Sequence, residues 1–259
     1  LQLEHGHPSF APLTPLHYTT KYKKTSREAG FLEKIKLVFD FENRLETGLK
    51  ARAACGMMFL WALKKGRGCV DGRKRAALET IARALNGAGV RWAVGGSLML
   101  YLRGAVGKFH DIDLVVSIGD AERAVAILDS IARRIDAPPS EEKARVFRSA
   151  CFGQFSLDGV DVDLMAGMVV RAEGVEFPDP FDALGPGGVS GAVGEPVPLA
   201  ATEDWYVLYA LMPGRMEKAR RIEAWWGSEG RLDKRRLERA AEGELPERVR
   251  TEVRRILGN

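Results

Sequence analysis

The chain has 259 residues, 46% of them hydrophobic and 29% charged, with a formal net charge of +4. That fits one large globular domain or two small ones and excludes a disordered or low-complexity chain. No apolar run approaches the roughly eighteen residues of a membrane-spanning helix, and the start lacks the basic, apolar and small-residue segments of a signal peptide, so a cytoplasmic location is expected, with no membrane partner.

Residues 1–25 carry Pro8, Pro12 and Pro15, then Lys21, Lys23 and Lys24, and read as an irregular arm. From Ser26 the apolar residues Phe31, Ile35, Val38, Leu45 and Leu49 recur at helical spacing, and Met57, Met58, Leu60 and Trp61 extend the pattern to about Leu63. Asp71 is placed to cap a helix with Leu78, Ile81 and Leu85 as its buried stripe, ended by Asn86-Gly87. Val90 to Val94 reads as a strand. Gly95-Gly96-Ser97 then forms a turn into a short apolar helix, and Asp111-Ile112-Asp113 opens the next strand. Asp120 is expected to cap a helix from Ala121 to about Ile135, broken by Pro138-Pro139. Residues 145–157 and Val160 to Met165 read as a hairpin turned at Gly159. The stretch 173–200, rich in Pro and Gly, reads as a long loop or short strands with turns. Helices are expected near 202–212, 215–226, 231–241 and 246–257.

Charge is uneven along this order. Residues 1–89 hold 16 Lys/Arg against 8 Asp/Glu, residues 90–200 hold 10 against 16, and residues 201–259 hold 13 against 11. The basic first part offers an RNA or protein partner a surface, or is a solvated helix face. Cys55, Cys69 and Cys151 are odd in number and widely spaced, which reads as free thiols and not as a disulfide frame or zinc site.

The chemistry concentrates in residues 95–116. A glycine turn at a helix start lets backbone N–H groups approach phosphate oxygens. Alternation along a strand puts Asp111 and Asp113 on one face, where two carboxylates make a hard oxygen site for Mg²⁺. A third carboxylate should come from Val160-Asp161-Val162-Asp163-Leu164-Met165, where Asp161 and Asp163 face the same way. Phosphate cradle and metal site together point to phosphoryl or nucleotidyl transfer.

Gly95-Gly96-Ser97, a thirteen-residue spacer and Asp111-Ile112-Asp113 resemble the signature of the DNA polymerase β-like nucleotidyltransferases. The resemblance covers roughly residues 75–225. The long spacer resembles the subgroup of abortive-infection and toxin–antitoxin enzymes and of antibiotic nucleotidyltransferases. It implies an α/β fold of the α+β type with a mixed-sheet core, set here at 71–200; the helical patterns on either side read as an N-terminal arm and helical extension over 1–70, which the resemblance does not reach, and a C-terminal helical bundle over 201–259. It implies an NTP substrate held by Gly95, Gly96 and Ser97, with Lys108 and Arg215 as further phosphate contacts. Two Mg²⁺ ions would sit on Asp111, Asp113 and Asp163, the last also helping to deprotonate an acceptor hydroxyl on a protein, an RNA end or a small molecule. Asp163 matches the family pattern better than Asp161, though both stay open. His110, beside the first Asp, is expected to be structural, and Trp225-Trp226 to be bundle core. Tyr209 stands where the family often has Lys, and Lys218 and Arg221 where it has acidic residues. Those departures keep a second reading alongside the enzyme: a catalytically reduced protein that binds nucleotide or a partner without turnover.

Overall fold

Asp71 starts the first described helix as its sequence position suggests: its carboxylate accepts from the Arg73 N–H at 3.0 Å, satisfying one of the donors a helix start leaves open. The structure is a computed structural model, and it describes residues 71–135, 140–229 and 231–258. These lie within a compact unit, Leu63–Asn259. The expected helix over 26–63 and the Pro138-Pro139 break lie outside the described residues.

Helix α1 (Gly72–Gly87) lays Ala77, Leu78, Ile81, Ala82 and Leu85 into the core. The chain then runs through β1 (Trp92–Val94), α2 (Gly96–Leu102), β2 (Ile112–Val116), a 3₁₀ turn at Ile118–Asp120, α3 (Ala121–Ile131) and β3 (Arg133–Ile135). Next come α4 (Glu141–Val146), β4 (Phe147–Arg148), β5 (Cys151–Leu157), β6 (Val160–Ala166), β7 (Val169–Ala172) and β8 (Val175–Pro178). The remainder is α5 (Phe181–Leu184), β9 (Gly188–Ser190), β10 (Val197–Leu199), α6 (Thr202–Leu211), α7 (Met216–Glu229), α8 (Lys234–Ala240) and α9 (Glu247–Leu257).

Seven strands form one mixed sheet in the order β3-β5-β6-β2-β1-β10-β9, and β4-β7-β8 form a smaller one. Strands β2 and β6 are parallel, as are β1 and β10, and the other neighbours in both sheets are antiparallel. The expected α/β fold with a mixed sheet is therefore present. The β5–β6 hairpin is present too, closed by Asp158-Gly159 with both residues at positive φ, the backbone a two-residue hairpin turn demands.

Two expectations are corrected. Asp120 makes no cap hydrogen bond to α3. Its carboxylate instead accepts from the Arg91 N–H at 2.8 Å and the Ser117 hydroxyl at 2.9 Å, so it ties the entry of β1 to the end of β2. Helix α3 stops at Ile131 because Arg133 to Ile135 pair with the edge of β5, a tertiary contact that overrides the helical stripe. Of the two readings for the Pro- and Gly-rich stretch, short strands with turns is the one present: it carries β8, α5, β9 and β10, and β10 lies against β1 with Val94 opposite Leu199.

Helix α6 is buried along its whole length; from Trp205 on it is apolar on all sides, as a buried helix is, and the polar groups of its first turn are paired inside the protein. Trp226 Nε1 donates to the Thr202 hydroxyl at 2.9 Å and Trp225 Nε1 to the Arg103 carbonyl at 3.0 Å, so both indoles are core, as expected. No helix among the described residues is long and apolar enough to cross a membrane.

Candidate functional site

The site is built on the junction of β1 and β2. The Gly95 N–H donates to the Asp113 carbonyl at 2.9 Å, extending the β1–β2 ladder by one bond and bringing the glycine turn against the aspartate strand. Gly96 has φ +56°, and a Cβ there would come within 1.7 Å of Asp113 Oδ2. Glycine is thus required twice at this position, by its left-handed backbone and by the carboxylate pressed against it. A Cβ on Gly95 would meet the Trp205 ring at 2.3 Å, so this glycine lets α6 pack directly over the turn.

The third carboxylate is delivered by register. Strands β2 and β6 run parallel with Asp113 opposite Asp163, and the hairpin puts Gln154 on the far side of Asp163. Gln154, Asp163 and Asp113 therefore form one row across three strands, on one face of the sheet. Gln154 Nε2 donates to Asp163 Oδ1 at 3.0 Å. Asp161, two residues earlier, pairs with Ser156 and is exposed.

Above this face lies a cleft of about 540 Å³. Its lining includes Gly96, Ser97, Asp111, Asp113, Asp163 and, from the start of the C-terminal helices, Tyr209, Arg215 and Lys218. Of the residues expected from the sequence, Gly96, Ser97, the three aspartates and Arg215 are brought together. Gly95 lies beneath the turn and not on the cleft wall. Lys108 is exposed in the loop before Asp111 and does not line the cleft. His110 does line it. Strand β2 begins only at Ile112, so His110 precedes the strand and is not bound by its alternation.

The cleft is electrostatically two-sided. Carboxylates line the sheet face, and Arg215 and Lys218 face them. Burial, then the neighbouring Arg215 charge, hold the Lys218 ammonium below its ordinary value, with Asp113 and Asp111 opposing. The ammonium sits 5.1 Å from the centre of the Tyr209 ring. Burial raises the Tyr209 phenol above its ordinary value, and the Asp113 charge adds to this. Its hydroxyl is buried with no hydrogen-bond partner, which is costly unless something in the cleft supplies one.

Among the described residues, no group of three His, Cys, Asp or Glu side chains converges tightly enough to make a metal site. The donor chemistry nevertheless suits a hard divalent cation: all candidate ligands are carboxylates, two of them are in register on adjacent strands, and the cradle beside Asp113 stays open only because Gly96 has no Cβ.

Sequence reasoning did not single out Gln154, Phe147, Phe152, Met165, Met168, Trp205 or Met212, all but Gln154 on the cleft wall. The signal for Gln154 was available, since a two-residue Asp-Gly turn fixes the register that places it opposite Asp163.

Among solved structures, the chain is similar to a candidate nucleotidyltransferase of Thermotoga maritima, with 26% identity over 63% of this chain and 99% of that one and a TM-score of 0.49. It is also similar to ANT(2'')-Ia in complex with adenylyl-2''-tobramycin, at 15% identity over 64% and 94% of the two chains and a TM-score of 0.40. A third is the lincosamide antibiotic adenylyltransferase LnuA bound to lincomycin, at 11% identity over 61% and 99% and a TM-score of 0.39. No protein-family model and no curated protein matches the chain.

Proposed function

We propose that this chain is a nucleotidyltransferase that moves a nucleoside monophosphate from an NTP to an acceptor hydroxyl. The observation that carries the reading is the Gly96 turn pressed on Asp113, which stands in register with Asp163. The backbone N–H groups of Gly96 and Ser97, with the Ser97 hydroxyl, would hold the triphosphate, and Arg215 and Lys218 would meet its outer charge. Asp111, Asp113 and Asp163 would hold divalent magnesium, which when bound offsets charge on the phosphates. Asp163 accepts the proton of the acceptor hydroxyl. The acceptor oxygen bonds to the α-phosphorus as the bond from that phosphorus to the bridging oxygen of the β-phosphate breaks, and pyrophosphate leaves. A place in a toxin–antitoxin pair rests on the sequence resemblance alone.

One observation favours the alternative, a nucleotide-binding protein without turnover: Gln154 already occupies an oxygen of Asp163. The two readings separate with α-labelled NTPs, one base at a time, with Mg²⁺ and a cell extract as acceptor source. Label on protein, RNA or small molecules with wild type, and none with Asp111→Ala/Asp113→Ala, is the expected result. Nucleotide binding with no label from any base would leave the binding protein standing.

A further inference from the structure

The row of carboxylates has an apolar twin. One pleat along the same strands, Phe152 on β5 stands opposite Met165 on β6, which stands opposite Val115 on β2. Side chains repeat on a face every second residue, so Phe152 lies beside Gln154 and Met165 beside Asp163, about 7 Å along the strands. Both Phe152 and Met165 line the cleft, and Phe147, Met168 and Met212 continue the same apolar wall. Phe152 is 40% exposed. The other large exposed apolar side chains among the described residues, Ile118 and Val189, sit on a turn and on an edge strand outside the cleft. Single apolar side chains on a surface need no explanation, but an aromatic ring open to a concave wall of methionines is built to be covered.

Sheet order says which reactant covers it. The phosphate-holding turn follows β1, and Phe152 lies two strands beyond β2, past Asp163. An NTP anchored at Gly96 and Ser97 leaves the β5–β6 side for the second substrate, whose hydroxyl must reach Asp163. Beyond Asp163, the described residues lining this side are Ala144, Phe147, Ser149, Phe152, Met165 and Met168, none of them charged. A polycationic sugar would find no further carboxylates there, and a nucleic-acid backbone no cations.

We propose, resting on the nucleotidyl-transfer reading, that the acceptor is a small hydroxyl compound with a flat apolar or aromatic face, seated on Phe152 and Met165 with its hydroxyl toward Asp163.

The test is equilibrium binding to the full chain, read separately from turnover. 2-Naphthol, followed by its fluorescence, is the apolar hydroxyl probe; kanamycin and an oligonucleotide with a free 3′-hydroxyl are the polycationic and nucleic-acid probes; Mg·ATP is titrated in parallel. Wild type is expected to bind 2-naphthol. Phe152→Ser should weaken it about tenfold and Phe152→Leu far less, with Mg·ATP affinity unchanged in both and circular dichroism confirming the fold. The proposal is overturned if 2-naphthol does not bind or binds Phe152→Ser as well as wild type. It is equally overturned if Phe152→Ser weakens Mg·ATP, since the ring would then hold the base, or if it weakens kanamycin or the oligonucleotide instead. Failure of the transfer reading looks different: Mg·ATP does not bind at all, or label transfer survives Asp111→Ala/Asp113→Ala.

Discussion

Gly96 concentrates more consequence than any other single position. Replacing it with Ala costs about 1–2 kcal/mol for the left-handed backbone and drives a methyl group into the Asp113 carboxylate. Gly96→Ala is expected to fold with a lowered melting temperature and to lose about 100-fold in nucleotidyl transfer, as misplacement by an ångström does; a thermal melt beside the label-transfer assay checks both. Tyr209 gives the opposite pattern. Its hydroxyl has no partner in the protein, so Tyr209→Phe should leave the melting temperature unchanged or higher. Mg·ATP affinity, measured by calorimetry, should fall about tenfold if the hydroxyl donates to the bound nucleotide; unchanged affinity would remove that contact. Asp179 supplies a pH signature. One of its carboxylate oxygens accepts from the Phe181 N–H at 3.0 Å, and the other is buried without a partner. Burial, helped by the Asp204 and Asp182 charges, pushes this group up to about 7. The fold therefore keeps a proton that the unfolded chain releases near pH 4. Stability contributed here is full below about pH 4 and is lost as pH rises through about 7. Urea midpoints at pH 5 and pH 8 should show this loss in wild type and a smaller difference in Asp179→Asn.

Among the elements, α6 and the β5–β6 hairpin organise the rest. Helix α6 is held by polar groups at its first turn. Thr202 donates to Glu203 at 3.0 Å, Glu203 accepts from the Asp233 N–H at 3.0 Å, and Arg236 forks onto Asp204 at 3.0 and 2.6 Å. The same guanidinium donates to the Gly185 carbonyl at 2.6 Å. Helix α8 is thus pinned to both α6 and the end of α5. Arg236→Met leaves Asp204 buried and unpaired, and should cost about 3–5 kcal/mol in urea denaturation; adding Asp204→Leu should recover part of the loss. The helices near 202–212 and 231–241 were legible, but the pairing of Arg236 with Asp204 between them was not, because it joins residues 32 apart. The hairpin was more transparent. Its alternation and its Asp158-Gly159 turn are local, so the strand carrying Asp161 and Asp163 was legible, and only the family pattern preferred Asp163. That Asp163 stands opposite Asp113 depends on the pairing with β2, which no local pattern encodes.

For the whole molecule, local chemistry was readable and distant pairing was not. The glycine turn, its spacer and the aspartate pair announce themselves because backbone conformation and strand alternation are set by neighbours. The mixed α/β architecture followed from the order of those local units. The stretch 173–200 was legible only as loop or short strands, because its prolines and glycines fit both, and β10 is placed only by lying against β1. The apolar wall of the cleft was missed for a related reason: Phe147, Phe152 and Met165 look like core residues until the sheet face they share is known. A molecule arranged this way should be stabilised by its ligand as a unit. Millimolar Mg·ATP should raise the melting temperature by several degrees, and chelation of the metal should reverse most of the rise.

The parallel pairing of β1 with β10 also has a consequence for how the chain is made. Val94 meets Leu199 only after more than a hundred intervening residues have emerged from synthesis. Until then β1 is paired on its β2 side and bare on the other, an open strand edge of apolar residues carrying the glycine turn. Bare edges recruit strands from other chains. A protein truncated just before Val197, which lacks β10 and the C-terminal helices, should therefore collect in the insoluble fraction even though every residue of the carboxylate row is present, and supplying residues 197–259 as a separate chain during refolding should return part of it to solution.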